Sequence, residues 1–133
     1  MEATPRSFDY PFGKMEFHDW YFHVKPLEDS EFDVANISIL MEKCIELANG
    51  KRFCMLVDAN KNVKSSTEGR EWAAKAGYNS HIVARAIITN SLAMRMTANF
   101  FIRFNKPVVE TRLFTSEKEA KEWLRSRFAA VRQ

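Results

Sequence analysis

Segments with the apolar period of a strand and segments with that of a helix alternate along this chain. After a predicted hairpin in Met15–Val24, the order is helix, strand, helix, strand, helix, strand, helix. Because strands separated by a helix usually pair in parallel through a right-handed crossover, this order predicts a mixed, mostly parallel sheet. The predicted fold class is therefore α/β, with about four helices packed on the sheet as a single layer pair.

Alternating side chains in Met15–Val24, around a break at His18–Asp19, predict a hairpin or two short strands. Counted straight through the break, the alternation divides these side chains between the two faces of the sheet. One face is expected to hold Met15, Phe17, Tyr21 and His23, and the other Glu16, His18, Trp20 and Phe22.

The length of 133 residues favours one domain, because a second domain would leave neither half with a sufficient core. That domain is predicted to span residues 13–133, after an N-terminal extension of residues 1–12. With 46% hydrophobic and 28% charged residues, the composition is typical of a folded globular protein and far from that of a disordered chain.

Capping residues mark where the first and last helices begin. Asp33 or Ser30 is the predicted cap of a helical pattern, and Gly50 lies just past its end. Ser116 and Glu119 have the spacing of a capping box at the start of the last helix. These local signals predict the bounds of both helices.

A candidate site lies between the predicted central strand Phe53–Val57 and the helix after it. The strand ends on Asp58, and the helix is opened by three consecutive hydroxyl residues, Ser65, Ser66 and Thr67. The carboxyl end of a strand and the N-terminus of the next helix are where α/β proteins usually bind ligands and partners. Asn60 in the connecting loop, with Ser91 and Arg95 at the third helix, is expected to complete this partner or ligand surface.

Two parts of this surface also have purely structural interpretations. Ser65 and Glu68 have capping-box spacing, and Thr67 is the alternative helix cap. Asp58 either serves the site or ties down the loop after it by accepting hydrogen bonds from backbone amides. The sequence leaves both interpretations open.

The third predicted helix is capped by Asn90–Ser91 and reaches to about Asn105. It has more apolar side chains than one buried face requires. The apolar contact residues are Met94, Met96, Phe100, Phe101 and Phe104. Their surplus predicts a protein partner, a homodimer contact or a pocket for an apolar ligand. Alternatively, the last helix covers Phe100 and Phe104. Basic residues near this helix are suited to an anionic headgroup or carboxylate: Arg85, Arg95 and Arg103.

Charge and motifs exclude several classes of function. The net charge of +3 comes from 20 basic and 17 acidic residues that are scattered, so no nucleic acid partner is predicted. No apolar run approaches the ~20 residues of a membrane span. The 4 glycines form neither GxGxxG nor the phosphate-binding GxxxxGK pattern, so we expect no nucleotide cofactor.

Metal and catalytic motifs are equally missing from the sequence. His18, His23 and His81 lie at no recognised ligand spacing, so no metal and no other cofactor is predicted. No glycine pattern exposes a nucleophile, so the chain is not predicted to be an enzyme. Cys44 and Cys54 are expected to be buried, reduced thiols, and the N-terminus has no secretory pattern, which predicts a cytoplasmic protein.

The order of elements, the strand ending in Asp58, the helix opening at Ser65–Thr67 and the segment Leu113–Leu124 together resemble the STAS/SpoIIAA-like family. The resemblance is strongest for the small stand-alone SpoIIAA-like proteins of bacteria, and it runs from about Gly13 onward. It implies a SpoIIAA-like fold and a small non-catalytic module that binds another protein.

In the anti-sigma factor antagonists of that family, a partner kinase phosphorylates the first serine of an Asp-Ser-Ser-Gly turn. This chain has Lys64-Ser65-Ser66-Thr67-Glu68-Gly69 at that place, so the resemblance implies Ser65, Ser66 or Thr67 as the modified residue. A phosphate at a helix N-terminus changes the surface that a partner meets without refolding the chain. The expected function is a regulatory or protein-interaction module; the alternative is a binding module for a lipid-like or other amphiphilic small molecule.

Overall fold

The computed structural model describes residues 6–10, 12–75 and 77–131. In chain order its strands and α-helices are β1 (Arg6–Tyr10), β2 (Gly13–Phe17), β3 (Tyr21–Pro26), β4 (Ser30–Phe32), α1 (Val34–Leu47), β5 (Phe53–Asp58), β6 (Val63–Ser65), α2 (Thr67–Lys75), β7 (Ile82–Ile88), α3 (Leu92–Phe100), β8 (Thr111–Phe114) and α4 (Glu117–Ala130). A 3-10 turn, Gly77–His81, precedes β7, and a π-helical turn, Phe101–Asn105, continues α3.

Six strands form the main sheet, in the order β1-β2-β3-β5-β7-β8. The first two pairings are antiparallel, and those of β3 with β5, β5 with β7 and β7 with β8 are parallel. The predicted mixed, mostly parallel sheet is confirmed, and β8 lies at its edge. β1 lies within the predicted extension of residues 1–12 and pairs along its whole length with β2. A small second sheet pairs β4 with β6.

Helices cover both faces of the main sheet. On one face, Leu40, Met41 and Cys44 of α1 pack against a core that includes Phe22 and Phe53. On the other face, Ala120 and Leu124 of α4 pack against a second core, which includes Leu56, Ala84 and Ala86. The prediction of a single layer pair, one sheet and one layer of helices, is therefore incomplete, because α4 forms a third layer on the opposite side of the sheet.

The β2–β3 hairpin corrects the predicted division of its side chains between the faces. Glu16 pairs directly with His23, and Phe17 pairs with Phe22, across the antiparallel ladder. Directly paired residues point to the same face, so His23 lies beside Glu16 and not with Phe17. Tyr21 and Phe22 likewise lie on the faces opposite to those predicted for them. The reason is that the turn, where Asp19 has a φ of 67°, interrupts the simple count of alternation.

An irregularity in β7 determines where Arg85 points. Phe53 pairs with Ile82, whereas Met55, two residues later, pairs with Arg85, so β7 has one extra residue at this place. Such a bulge changes which side chains face each side of the sheet. Arg85 is thereby placed on the face covered by α1, α2 and α3, where it lines a cavity with Met55.

Local signals located the helix starts. Asp33 accepts a hydrogen bond from Asn36 N, Ser91 from Met94 N, and Ser116 from Glu119 N, as predicted for α1, α3 and α4. Gly50 has a φ of 74°, the left-handed conformation expected just after the end of α1.

Candidate functional site

A cavity of about 180 Å³ lies between the sheet and helices α1, α2 and α3. Its wall is built mainly from apolar side chains, including Met41, Met55, Ile87, Met94 and Phe101. Small residues on the two shorter helices, Ala73 and Ala98, leave space at this place. The arrangement is typical of a small-molecule site, which is mostly apolar with a few polar groups that orient the ligand.

Arg85 is the first polar group in this apolar wall. Its Nη2 donates a hydrogen bond to Asn79 Oδ1 at 3.3 Å, and its guanidinium lies 5.7 Å from the centre of the Phe101 ring. Burial lowers the pKa of Arg85 to about 10, so the side chain is still charged at neutral pH.

Arg70 of α2 is the second polar group in the wall of this cavity. Its Nη1 donates to the carbonyl oxygen of Ser65 at 2.8 Å and to Ser65 Oγ at 2.9 Å. The guanidinium lies over the Phe100 ring, and its buried Nε has no hydrogen-bond partner. None of the ion pairs found among the described residues includes Arg70 or Arg85. The cavity therefore has two cations in its wall whose described partners are neutral.

The predicted site residues Asp58 and Asn60 line a different cavity, of about 540 Å³, beside the first hairpin. Asp58 Oδ1 accepts a hydrogen bond from Asn60 N at 2.9 Å, and Asn60 Oδ1 accepts one from Asn90 N at 2.8 Å. These bonds hold the loops that follow β5 and β7 together. The geometry agrees with the structural interpretation of Asp58.

The hydroxyl cluster at the start of α2 requires a correction. Ser66, and neither Ser65 nor Thr67, is the cap, because its Oγ accepts a hydrogen bond from Gly69 N at 2.9 Å. Ser65 is still part of β6, whose pairing with β4 holds it in an extended conformation. Thr67 is the exposed first residue of α2. A Cβ on Gly69 would lie 2.4 Å from the Phe32 carbonyl oxygen, so α2 packs closely against β4.

The apolar residues of α3 divide between the cavity and solvent. Met94 and Phe101 are buried in the cavity wall. Met96 is 66%, Phe100 46% and Phe104 70% exposed. The alternative that α4 covers Phe100 and Phe104 is wrong, because α4 packs on the opposite face of the sheet. Arg95 is exposed, and Ser91, two residues after the buried Thr89, caps the helix.

A polar cluster that the sequence analysis missed lies on the α4 side of the sheet. Glu16 Oε1 is 3.0 Å from His18 Nε2 and 3.9 Å from His23 Nδ1, and Lys25 Nζ contacts Glu16 Oε2 at 3.0 Å. The pKa of Glu16 is lowered. Partial burial acts to raise it, but the hydrogen bonds from Lys25 and His18 outweigh that effect. Burial, together with Lys25, lowers the pKa of His23. Local spacing places Glu16 beside His18, but only the cross-strand register, which local spacing does not reveal, brings His23 and Lys25 to them.

The fold is that of a SpoIIAA-like α/β protein, as the sequence resemblance implied. An uncharacterized protein of the DUF3478 family with a SpoIIAA-like fold, from Shewanella loihica PV-4, has a similar structure at a TM-score of 0.53 and 12% sequence identity. The alignment covers 93% of this chain and 95% of that one.

The chain itself belongs to the family described as a domain of unknown function, DUF7793, whose model matches residues 15–127. No curated protein matches the sequence. Among the helices of the described residues, none combines the length and apolar character needed to cross a membrane.

Proposed function

We propose that this chain is a non-catalytic binding module that holds a small anionic amphiphile in the cavity beneath α1, α2 and α3. The observation that carries the proposal is Arg85, a cation in an apolar cavity wall without a carboxylate partner among the described residues. This proposal develops the alternative raised by the sequence, a binding module for an amphiphilic small molecule, in place of a regulatory module.

The energetics of a partly buried charge, that of Arg85, support an anionic ligand. A charge removed from water is costly unless it is paired and hydrogen-bonded. Among the described residues, the side chain of Arg85 makes one hydrogen bond, to Asn79, which leaves most of its five N–H donors for another acceptor. A planar guanidinium binds a carboxylate or phosphate through two parallel hydrogen bonds. A ligand with such a headgroup supplies the missing acceptor.

The apolar wall and the cavity volume define the rest of the ligand. Drug-sized ligands fill pockets of roughly 300–1,000 Å³, and this cavity of about 180 Å³ is smaller. A single short acyl chain or a compact apolar ring fits that space better than a two-chain lipid. The ligand class is therefore a small amphiphile with one anionic head.

Native mass spectrometry of the chain purified from its own host tests the proposal. We expect a non-covalent ligand of anionic, amphiphilic chemistry that is retained by Arg95→Met and lost by Arg85→Met. Arg95 is the matched control, because it is an exposed arginine of α3 that does not line the cavity. A ligand retained equally by both variants, or a neutral ligand, would contradict the proposal.

A second candidate function is protein interaction through α3, which continues the sequence-based expectation. Exposed apolar residues line this helix and the segment after it, including Leu92, Met96, Phe104 and Val108. Residues 92–106 contain Arg95, Arg103 and Lys106 and no acidic residue. Because two such basic surfaces repel each other, the face suits an apolar, acidic protein surface better than a second copy of this chain.

Regulation by a phosphate belongs to the same candidate. Thr67 is exposed, and its Oγ1 is 3.5 Å from Arg70 Nη2. A phosphate on Thr67 would pair with Arg70, draw this cation from the cavity wall and change the surface beside α3. Peptide mass spectrometry of the natural protein should find phosphate among Ser65, Ser66 and Thr67, whereas unmodified serines and threonine would argue against the switch.

The interaction itself is tested by comparing proteins that cross-link to the wild-type chain and to a Met96→Ser/Phe104→Ser variant. We expect the variant to lose a specific partner whose contact surface is acidic. Equal cross-linking of that partner to both chains would exclude α3 as the interface.

A further inference from the structure

We propose that Glu16, His18 and His23 form a binding site for a divalent first-row transition-metal ion, with Zn²⁺ as the ion that this donor set fits. The site lies on the face of the sheet opposite the cavity, and it is independent of the function proposed above. Its three ligand atoms come from one hairpin, formed by β2, β3 and the turn between them.

The geometry of the hairpin gathers the ligand atoms. Glu16 and His18 are two residues apart and share a face, and His23 is the direct cross-strand partner of Glu16. The carboxylate oxygen and the two imidazole nitrogens all lie within 4.8 Å of one another. Ligand atoms about 2.1 Å from one tetrahedral ion are about 3.4 Å apart. The separations of 3.0 Å and 3.9 Å from Glu16 Oε1 bracket that value.

The donor chemistry also fits. Two imidazoles and one carboxylate are a recurring protein set for Zn²⁺ and related ions, and they leave a coordination position for water. The side chain of His23 is only 5% exposed, whereas that of His18 is 21% exposed. An ion would therefore enter beside His18, with its open position toward solvent.

The surrounding residues supply the supporting contacts that metal ligands usually have. His23 Nε2 is buried without a hydrogen-bond partner and lies 3.9 Å from Glu117 Oε1 of α4. A histidine that binds a metal through one nitrogen commonly donates the other N–H to a carboxylate. Lys25 holds Glu16 Oε2, which leaves Oε1 for the ion, and the His18 ring stacks on Tyr21 with centroids 4.5 Å apart.

The test is a titration of the full chain, without an affinity tag, with Co²⁺ and then with Zn²⁺ as competitor. We expect a visible Co²⁺ absorption band at one equivalent, displaced by Zn²⁺. His18→Ala should weaken Co²⁺ binding at least 10-fold, and Glu117→Gln should weaken it by roughly the same factor through its contact with His23.

His81→Ala is the matched control, since it removes the one histidine outside the cluster. Circular dichroism establishes that each variant is folded, and Glu16→Gln provides a second ligand variant. Unchanged Co²⁺ affinity in both His18→Ala and Glu16→Gln, an equal loss in His81→Ala, or no binding at millimolar Co²⁺ would overturn the proposal.

Discussion

Arg85 and Arg95 are two arginines with opposite environments, one in the wall of a cavity and one in solvent. Arg85 is partly buried, and removing a partly buried charge also removes the cost of its desolvation. We therefore expect Arg85→Met to change the free energy of unfolding by roughly 0 to +2 kcal/mol in urea titrations of the ligand-free chain. Arg95→Met should stay within about 0.5 kcal/mol. A loss above about 2 kcal/mol in Arg85→Met would make Arg85 a structural residue.

Ser66 provides a second comparison at the scale of one residue. Because its Oγ caps α2, Ser66→Ala should lower the free energy of unfolding by about 1 kcal/mol. Ser66→Asp keeps a capping oxygen and should retain most of the stability. Thr67→Ala, at the exposed first position of the helix, is the control with the smaller expected loss. Equal losses in Ser66→Ala and Thr67→Ala, measured by thermal unfolding, would contradict the capping assignment.

At the scale of elements, α3 and its π-helical continuation present a buried and an exposed side. Phe101→Ser should lower the free energy of unfolding by about 3 kcal/mol, because Phe101 is only 9% exposed. Phe104→Ser, at 70% exposure, should change it by about 0.5 kcal/mol or less. Urea unfolding of the two variants measures the difference. A large loss for Phe104→Ser would mean that this side is part of the core and not a free surface.

Among the elements, the sequence predicts the helix caps set by local signals but not the features set by strand pairing. The caps at Asp33, Ser91 and Ser116 are local signals, and the structure confirms all three. The predicted cap of α2, Ser65 or Thr67, is wrong, because pairing between β4 and β6 extends the chain through Ser65 and leaves Ser66 as the cap. The bulge before Arg85 is also a product of strand pairing. Local spacing does not encode such pairings.

At the scale of the whole molecule, the resemblance seen in the sequence predicted the SpoIIAA-like fold, and the similar structure from Shewanella loihica confirms it. Residues predicted to form one surface are divided between two cavities. Asp58 and Asn60 line one cavity, while Ser65 lines another with Arg70 and Arg85. The cavity requires that α1, α2 and α3 lie on one face of the sheet and α4 on the other. Element order does not specify that choice of faces.

The central claim is that the cavity binds an anionic amphiphile through Arg85. The most direct measurement is calorimetric titration of the wild-type and Arg85→Met chains with decanoate and with decanol, which differ in the charge of the headgroup. We expect the wild type to prefer decanoate by about 10-fold or more, and Arg85→Met to lose this preference while still binding decanol. Equal affinities of the wild type for both compounds, or an unchanged preference in Arg85→Met, would contradict it.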